Sequence, residues 1–118
     1  MDKTVTLKKE PIGGKFVYVS DEHTFGTDAI LLANFSRAGK RDVLVDLGTG
    51  CGIIPFLLLK DGKLKSAEGV DISGAAIEIA DKTAKEQGFD NFRGIVADIK
   101  ELKGKITLTI ASWPGTFL

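Results

Sequence analysis

Three aspartates and three glycines carry the chemistry this sequence can do. Asp46 closes the apolar run Val43-Leu44-Val45, and Gly48, Gly50 and Gly52 follow it at alternate positions. A β-branched run with no polar face until its last residue suits a strand buried on both sides of a parallel sheet. Alternate glycines strip Cβ from one side of the turn that follows, so its main-chain N–H groups can lie against a ligand. Asp71 ends the next apolar stretch, Ala67 to Ile72, about twenty residues past the last glycine. Asp98 stands near the end of a third, Phe92 to Ile99. The carboxyl ends of such strands are where open α/β sheets bind their ligands.

The spacing narrows the ligand. A dinucleotide fingerprint reads G-x-G-x-x-G, its third glycine packing helix on strand and its pyrophosphate on the helix N-terminus. Here the run is G-x-G-x-G, and Ile53 holds the third-glycine position. A smaller, cationic adenosyl ligand beside Asp46 fits better, with Asp71 accepting the ribose hydroxyls. The pattern Asp46-x-Gly48-x-Gly50-x-Gly52 with a strand-end acid resembles the S-adenosylmethionine site of Rossmann-like methyltransferases. Two readings of Asp98-Ile99 stay open: an adenine site, with the acid accepting from the amine and Ile99 covering a ring face, or a simple turn cap.

Those acids need a scaffold, and the chain supplies one. Thr4 to Leu7 and Phe16 to Val19 flank Pro11-Ile12-Gly13-Gly14-Lys15, which predicts a hairpin over residues 1–20 ahead of the main sheet. Thr27 or Asp28 can cap a helix of about eleven residues ending at Gly39, with Leu31, Phe35 and Ala38 on one face. Ile53 to Lys60 predicts a two-turn helix with Pro55 tolerated in its first turn and Asp61-Gly62 ending it. Ser73 caps the next helix, whose small-residue face of Ala76, Ile79, Ala80, Thr83 and Ala84 suits close packing on a sheet, and Gly88 ends it. Alternating strands and helices with short links predict an α/β fold, a Rossmann-like three-layer sandwich with a mostly parallel sheet and right-handed crossovers.

Composition bounds the rest. At 118 residues the chain is one domain at most. No apolar run approaches the ~20 residues of a membrane span, and Met1-Asp2-Lys3 opens no secretory core, so the expectation is a cytoplasmic protein without membrane contact. Cys51, the single cysteine, forms no internal disulfide, and His23, the single histidine, has no partners for a metal site. Sixteen basic and sixteen acidic residues cancel, so the whole chain has no strong pull on nucleic acid. Lys60, Lys63 and Lys65 around one loop, and Lys100, Lys103 and Lys105 around another, read as solvated loops or as a phosphate-contacting rim.

At Thr24-Phe25-Gly26-Thr27-Asp28-Ala29-Ile30-Leu31-Leu32-Ala33, together with Asp46 to Pro55, the chain resembles the bacterial tRNA adenine methyltransferases of the "small domain" group. These modify the exocyclic amine of an adenine beside the anticodon of valine tRNA. The resemblance runs from about residue 12 to residue 105 and implies S-adenosylmethionine as cofactor and tRNA as partner. It implies cofactor contacts from Asp46, Gly48, Thr49, Gly50, Cys51 and Gly52, from Asp71 with Ile72, and from Asp98 with Ile99. Phe25, Gly26 and Thr27 would close over the methionine end. The resemblance makes residues 21–118 a cofactor-binding domain.

The family then needs a fourth strand ending in Asn-Pro-Pro-Tyr, where an amide and a carbonyl accept the amine hydrogens and an aromatic ring stacks on a flipped-out base. Here Ile106 to Ala111 is the expected strand, but Ser112-Trp113-Pro114-Gly115 replaces the motif and only Pro114 matches. Ser112, Trp113 and Pro114 are the candidate substitutes. Ending at Leu118 leaves the expected domain incomplete after that strand, with a sheet edge open to pairing between copies. Two rivals stand beside the methyltransferase reading: a non-catalytic cofactor-binding or assembly module, and a nicotinamide-dependent oxidoreductase.

Overall fold

The structure, a computed structural model, describes residues 6–36, 39–98 and 100. In chain order its elements are β1 (Lys8–Pro11), β2 (Phe16–Val19), α1 (Thr27–Asn34), β3 (Val43–Leu47), α2 (Ile53–Lys60), β4 (Ser66–Asp71), α3 (Gly74–Gln87) and β5 (Phe92–Val96). β3, β4 and β5 form a parallel sheet in that order, with Leu47 opposite Val70 and Asp71 opposite Val96. This is the expected α/β architecture with helical crossovers.

Local signals account for both crossover helices. Ser73 caps α3 by accepting from the Ala76 amide at 3.1 Å, and Gly88 ends it in the left-handed region at φ 75°. Ala76, Ile77, Ile79, Ala80 and Thr83 are its buried face. α2 is apolar nearly throughout, and Phe56 at its centre is fully buried, stacked on Phe89 at 4.7 Å and tilted against Phe92 at 4.7 Å. That aromatic cluster sits with Leu44, Leu58 and Ala67 in a core that also takes in Ile12, Val17, Tyr18 and Val19 of the hairpin.

The hairpin is fastened to α3 by polar bonds as well. The amides of Phe16 and Tyr18 donate to Gln87 Oε1 and Thr83 Oγ1, both at 2.9 Å, and the Tyr18 hydroxyl donates to Glu86 at 2.6 Å. Thr83 and Tyr18 are both buried, so a Thr83→Val substitution strands the Tyr18 amide without an acceptor. Its expected cost is about 1–3 kcal/mol, read as a lower midpoint in urea unfolding.

Three expectations need correction. The first strand is Lys8–Pro11, not Thr4 to Leu7; residues 1–5 lie outside the described residues, and Thr6 and Leu7 are not in a strand. The turn decides this: Ile12 N donates to Lys15 O at 2.8 Å, which pairs Pro11 with Phe16 and makes the charged segment the exposed edge. Second, α1 runs only from Thr27 to Asn34, with Gly26 rather than Thr27 or Asp28 at its N-cap and Phe35 at its C-cap. It packs against α2, with Ala33 buried and Ala29 against the core, while Leu31 and Phe35 are exposed. Ala38 lies outside the described residues. Third, β5 stops at Val96, so Asp98 follows the strand instead of ending it. Ile99, the expected fourth strand and Ser112, Trp113 and Pro114 all lie outside the described residues.

Candidate functional site

The turn after β3 is clamped to β4. Val70 O accepts from the amides of both Gly48 and Thr49, at 2.7 and 2.9 Å. Asp71, at the end of β4, then secures the same turn from the side: its Oδ2 accepts from Gly50 N and its Oδ1 from Ser73 N, each at 2.9 Å. One carboxylate thus ties the glycine turn to the start of α3.

The three glycines have different tasks, although all take positive φ, 73°, 57° and 87° for Gly48, Gly50 and Gly52. A Cβ placed on Gly48 or Gly50 meets nothing within 4 Å, so that side of the turn opens onto empty space. A Cβ on Gly52 falls 2.5 Å from Phe56 Cε2, so this glycine is required by packing. Ile53, at the third-glycine position of a dinucleotide fingerprint, is buried in the core.

Asp46 lies beside the open face. Its Oδ2 accepts from the Thr49 hydroxyl at 2.8 Å. Burial pushes its carboxyl up to about 6, against the pull of the Thr49 bond and with some help from the negative charge of Asp71. A desolvated carboxylate with lone pairs to spare is suited to a cation. Thr49 itself is buried, its side chain 2.8 Å from where a Cβ on Gly69 would sit. Gly69 is a residue of this site that sequence reasoning missed, because only the pairing of Asp46 with Gly69 across the sheet reveals it.

The remaining expected site residues divide. Asp71 and Asp46 are brought together with the glycine turn. Asp98 lies at the same end of the sheet, since Ala97 N donates to Asp71 O at 3.0 Å, but its Oδ1 accepts from Lys100 N at 3.0 Å, which is the turn-capping geometry. Ile72 and Val96 expose 70% and 55% of their surface there, an apolar margin next to the carboxylates. Gly26 and Thr27 are exposed at the start of α1, and Phe25 packs on the core. Cys51 is buried and its thiol is raised to about 11 by that burial, so only its backbone is available to a ligand and it is no nucleophile. His23 sits in a loop, its amide donating to Ser20 Oγ at 3.1 Å. It shares a cavity of about 220 Å³ with Ser20, Glu22, Glu78 and Lys82, which the aspartates do not line. Among the described residues no three His, Cys, Asp or Glu side chains are grouped to hold a metal ion, and no helix is long and apolar enough to cross a membrane.

Comparison with known proteins adds to this geometry. A family model described as "Methyltransferase domain" matches residues 38–110. An uncharacterized RNA methyltransferase of Streptococcus pyogenes serotype M3 is 47% identical over 53 residues, covering 45% of this chain and 11% of that protein. A release factor glutamine methyltransferase of Agrobacterium fabrum is 37% identical over 81 residues, 67% of this chain and 28% of the other. The structure of M. jannaschii TYW2 in complex with AdoMet superposes with a TM-score of 0.70 at 17% identity, over 86% of this chain and 48% of that one. The last likeness establishes the fold, and the chain spans less than a third of the length of these curated relatives.

Proposed function

The chain belongs to the methyltransferase domain family, and from that premise we propose that it is the cofactor-binding part of an S-adenosylmethionine-dependent RNA methyltransferase acting on a planar amino nitrogen, the adenine amine of a tRNA. One observation carries the cofactor assignment: a glycine turn, open on one side and pinned by Asp71, lies next to the desolvated Asp46.

The residues fit the group. Asp46 faces its positive methionine end, and Gly48 and Gly50 leave the room that end requires. Each Asp71 oxygen already accepts one backbone bond and retains a second lone pair, so both ribose hydroxyls can be held without breaking the turn. Ile72 and Val96 supply an apolar margin for the adenine, with Asp98 beside it, and Phe25, Gly26 and Thr27 are the residues proposed to close over the methionine end. When bound, the cofactor supplies an activated methyl group on a sulfonium. The chain's own contribution is to bind and orient it, since such a displacement needs alignment more than a strong base.

One named relative is an RNA methyltransferase and another a release factor glutamine methyltransferase, and the former supports an RNA substrate. Buried Ile53 speaks against a dinucleotide. A binding-only module is the second reading, since the geometry at the glycine turn accounts for holding a cofactor.

Calorimetry with S-adenosylmethionine, paired with methyl transfer to unmodified tRNA, tests both. Heat is expected, and product beside it shows that this chain also aligns the substrate. Heat without product selects the binding-only module, and a chain that binds NAD but not the sulfonium cofactor overturns the assignment.

A further inference from the structure

We propose that the amino-terminal end of the sheet is an RNA-backbone contact surface, built from Lys40, Arg41, Lys63 and Lys65, at the pole opposite the cofactor turn. The RNA reading of the partner rests on the function proposed above; the existence of the surface does not.

The four cations come from two loops that are distant in sequence and joined in space. Lys65 N donates to Asp42 O at 2.9 Å, binding the loop before β3 to the loop before β4. Each loop is also held by further bonds. Gly39 N donates to Asp42 Oδ2 at 2.8 Å, Lys63 N to Leu58 O at 3.0 Å, and Asn91 Nδ2 to Lys65 O at 3.0 Å. All four side chains are exposed, and none takes part in an ion pair with another described residue. The acids nearby offset them only in part: Asp61 is held by Lys60 at 2.7 Å, while Asp42, which accepts from Gly39 N, and exposed Asp90 stand against four cations. In a chain of zero net charge, four exposed cations without an ion pair to another described residue thus share one end of the sheet.

The chemistry selects a polyanion. Protein docking sites are anchored by aromatic or apolar residues in their centre; among residues 39–42 and 61–65 none is an exposed large hydrophobic, Leu64 between the two lysines is buried, and exposed Phe35 stands at the C-cap of α1, the far end of the first loop in sequence. Long, solvated lysine and arginine side chains on fixed loops are the usual means of contacting phosphates. From Asp42 to Asp46 is about 13 Å of β3 at the rise of a strand, so a phosphate held here is remote from the methyl group. The surface therefore grips the RNA and leaves the reaction to the other pole.

The test uses the full chain, unmodified tRNA and anionic phosphatidylserine vesicles, with binding measured across a salt series. A Lys40→Gln, Arg41→Gln, Lys63→Gln, Lys65→Gln variant should bind tRNA about a hundredfold more weakly at 0.1 M salt, and its log–log salt slope should fall by about three. Heat of S-adenosylmethionine binding should be unchanged, and a Lys8→Gln, Lys85→Gln control should bind tRNA like the parent. An unchanged slope in the quadruple variant overturns the surface, as does parent protein that binds vesicles through these residues and ignores tRNA. Loss of cofactor binding in the parent defeats the proposed function and leaves the RNA readout intact.

Discussion

Replacing Phe56 with alanine is expected to cost about 3–5 kcal/mol, the loss for a buried phenylalanine whose neighbours cannot close the gap. The ring is fully buried between Phe89 and Phe92, and Gly52 backs directly onto it. Phe89 lies in the link between α3 and β5 and Phe92 opens β5, so the cavity loosens both. For a domain whose whole stability is of order 5–15 kcal/mol, this is a large share. The urea midpoint should fall steeply while the slope stays constant. Gly52→Ala attacks the same contact from the other side, adding a positive-φ penalty to the collision, and should also damage cofactor binding because Gly52 ends the turn. A Phe56→Ala loss below 1 kcal/mol would contradict the packing described.

The parts of this fold that a sequence reading captures are those with local causes. Ser73 and Gly88 bracket α3 because a hydroxyl cap and a left-handed terminator are written into adjacent residues. The glycine turn was legible for the same reason, and Asp46 and Asp71 do meet around it. What escaped depends on contacts between distant segments. α1 is a case: its apolar residues suggest a buried face through Leu31 and Phe35, yet the side it buries is that of Ala29 and Ala33. Gly48, Gly50 and Gly52 look equivalent in sequence, and only the position of Phe56 separates the packing glycine from the two that open onto space. The basic end of the sheet was half visible in Lys63 and Lys65, while Lys40 and Arg41 join it through a single backbone bond that no spacing rule announces. Asp98 illustrates a limit of another kind, since capping and ligand binding ask the same residue of the sequence.

Asp46→Asn is expected to strengthen the ligand-free fold and weaken the site, a pair of opposite effects with one cause. Burial raises the carboxyl from 3.8 to about 6. In the unfolded chain it titrates near its ordinary value, so between those limits the folded state holds a proton that the unfolded state has released. Its contribution to stability is therefore complete below about 4 and declines as pH rises through about 6. Above that the ionised group costs about 3 kcal/mol, at 1.36 kcal/mol per unit. Asparagine avoids that cost and still accepts the Thr49 hydroxyl. Urea unfolding of the two proteins should agree near pH 3.5 and diverge to a gap of about 3 kcal/mol in favour of the variant by pH 7.5. Cofactor binding should move the other way. The parent needs the ionised carboxylate against a cationic ligand, so its affinity should fall as pH drops below about 6, while the variant binds about tenfold to hundredfold more weakly at pH 7.5, the loss of one charge-assisted bond, with little pH dependence. If the variant is no more stable at pH 7.5, Asp46 is not desolvated as described. If it is more stable and binds S-adenosylmethionine as tightly as the parent, the charge is present but faces something other than the sulfonium ligand.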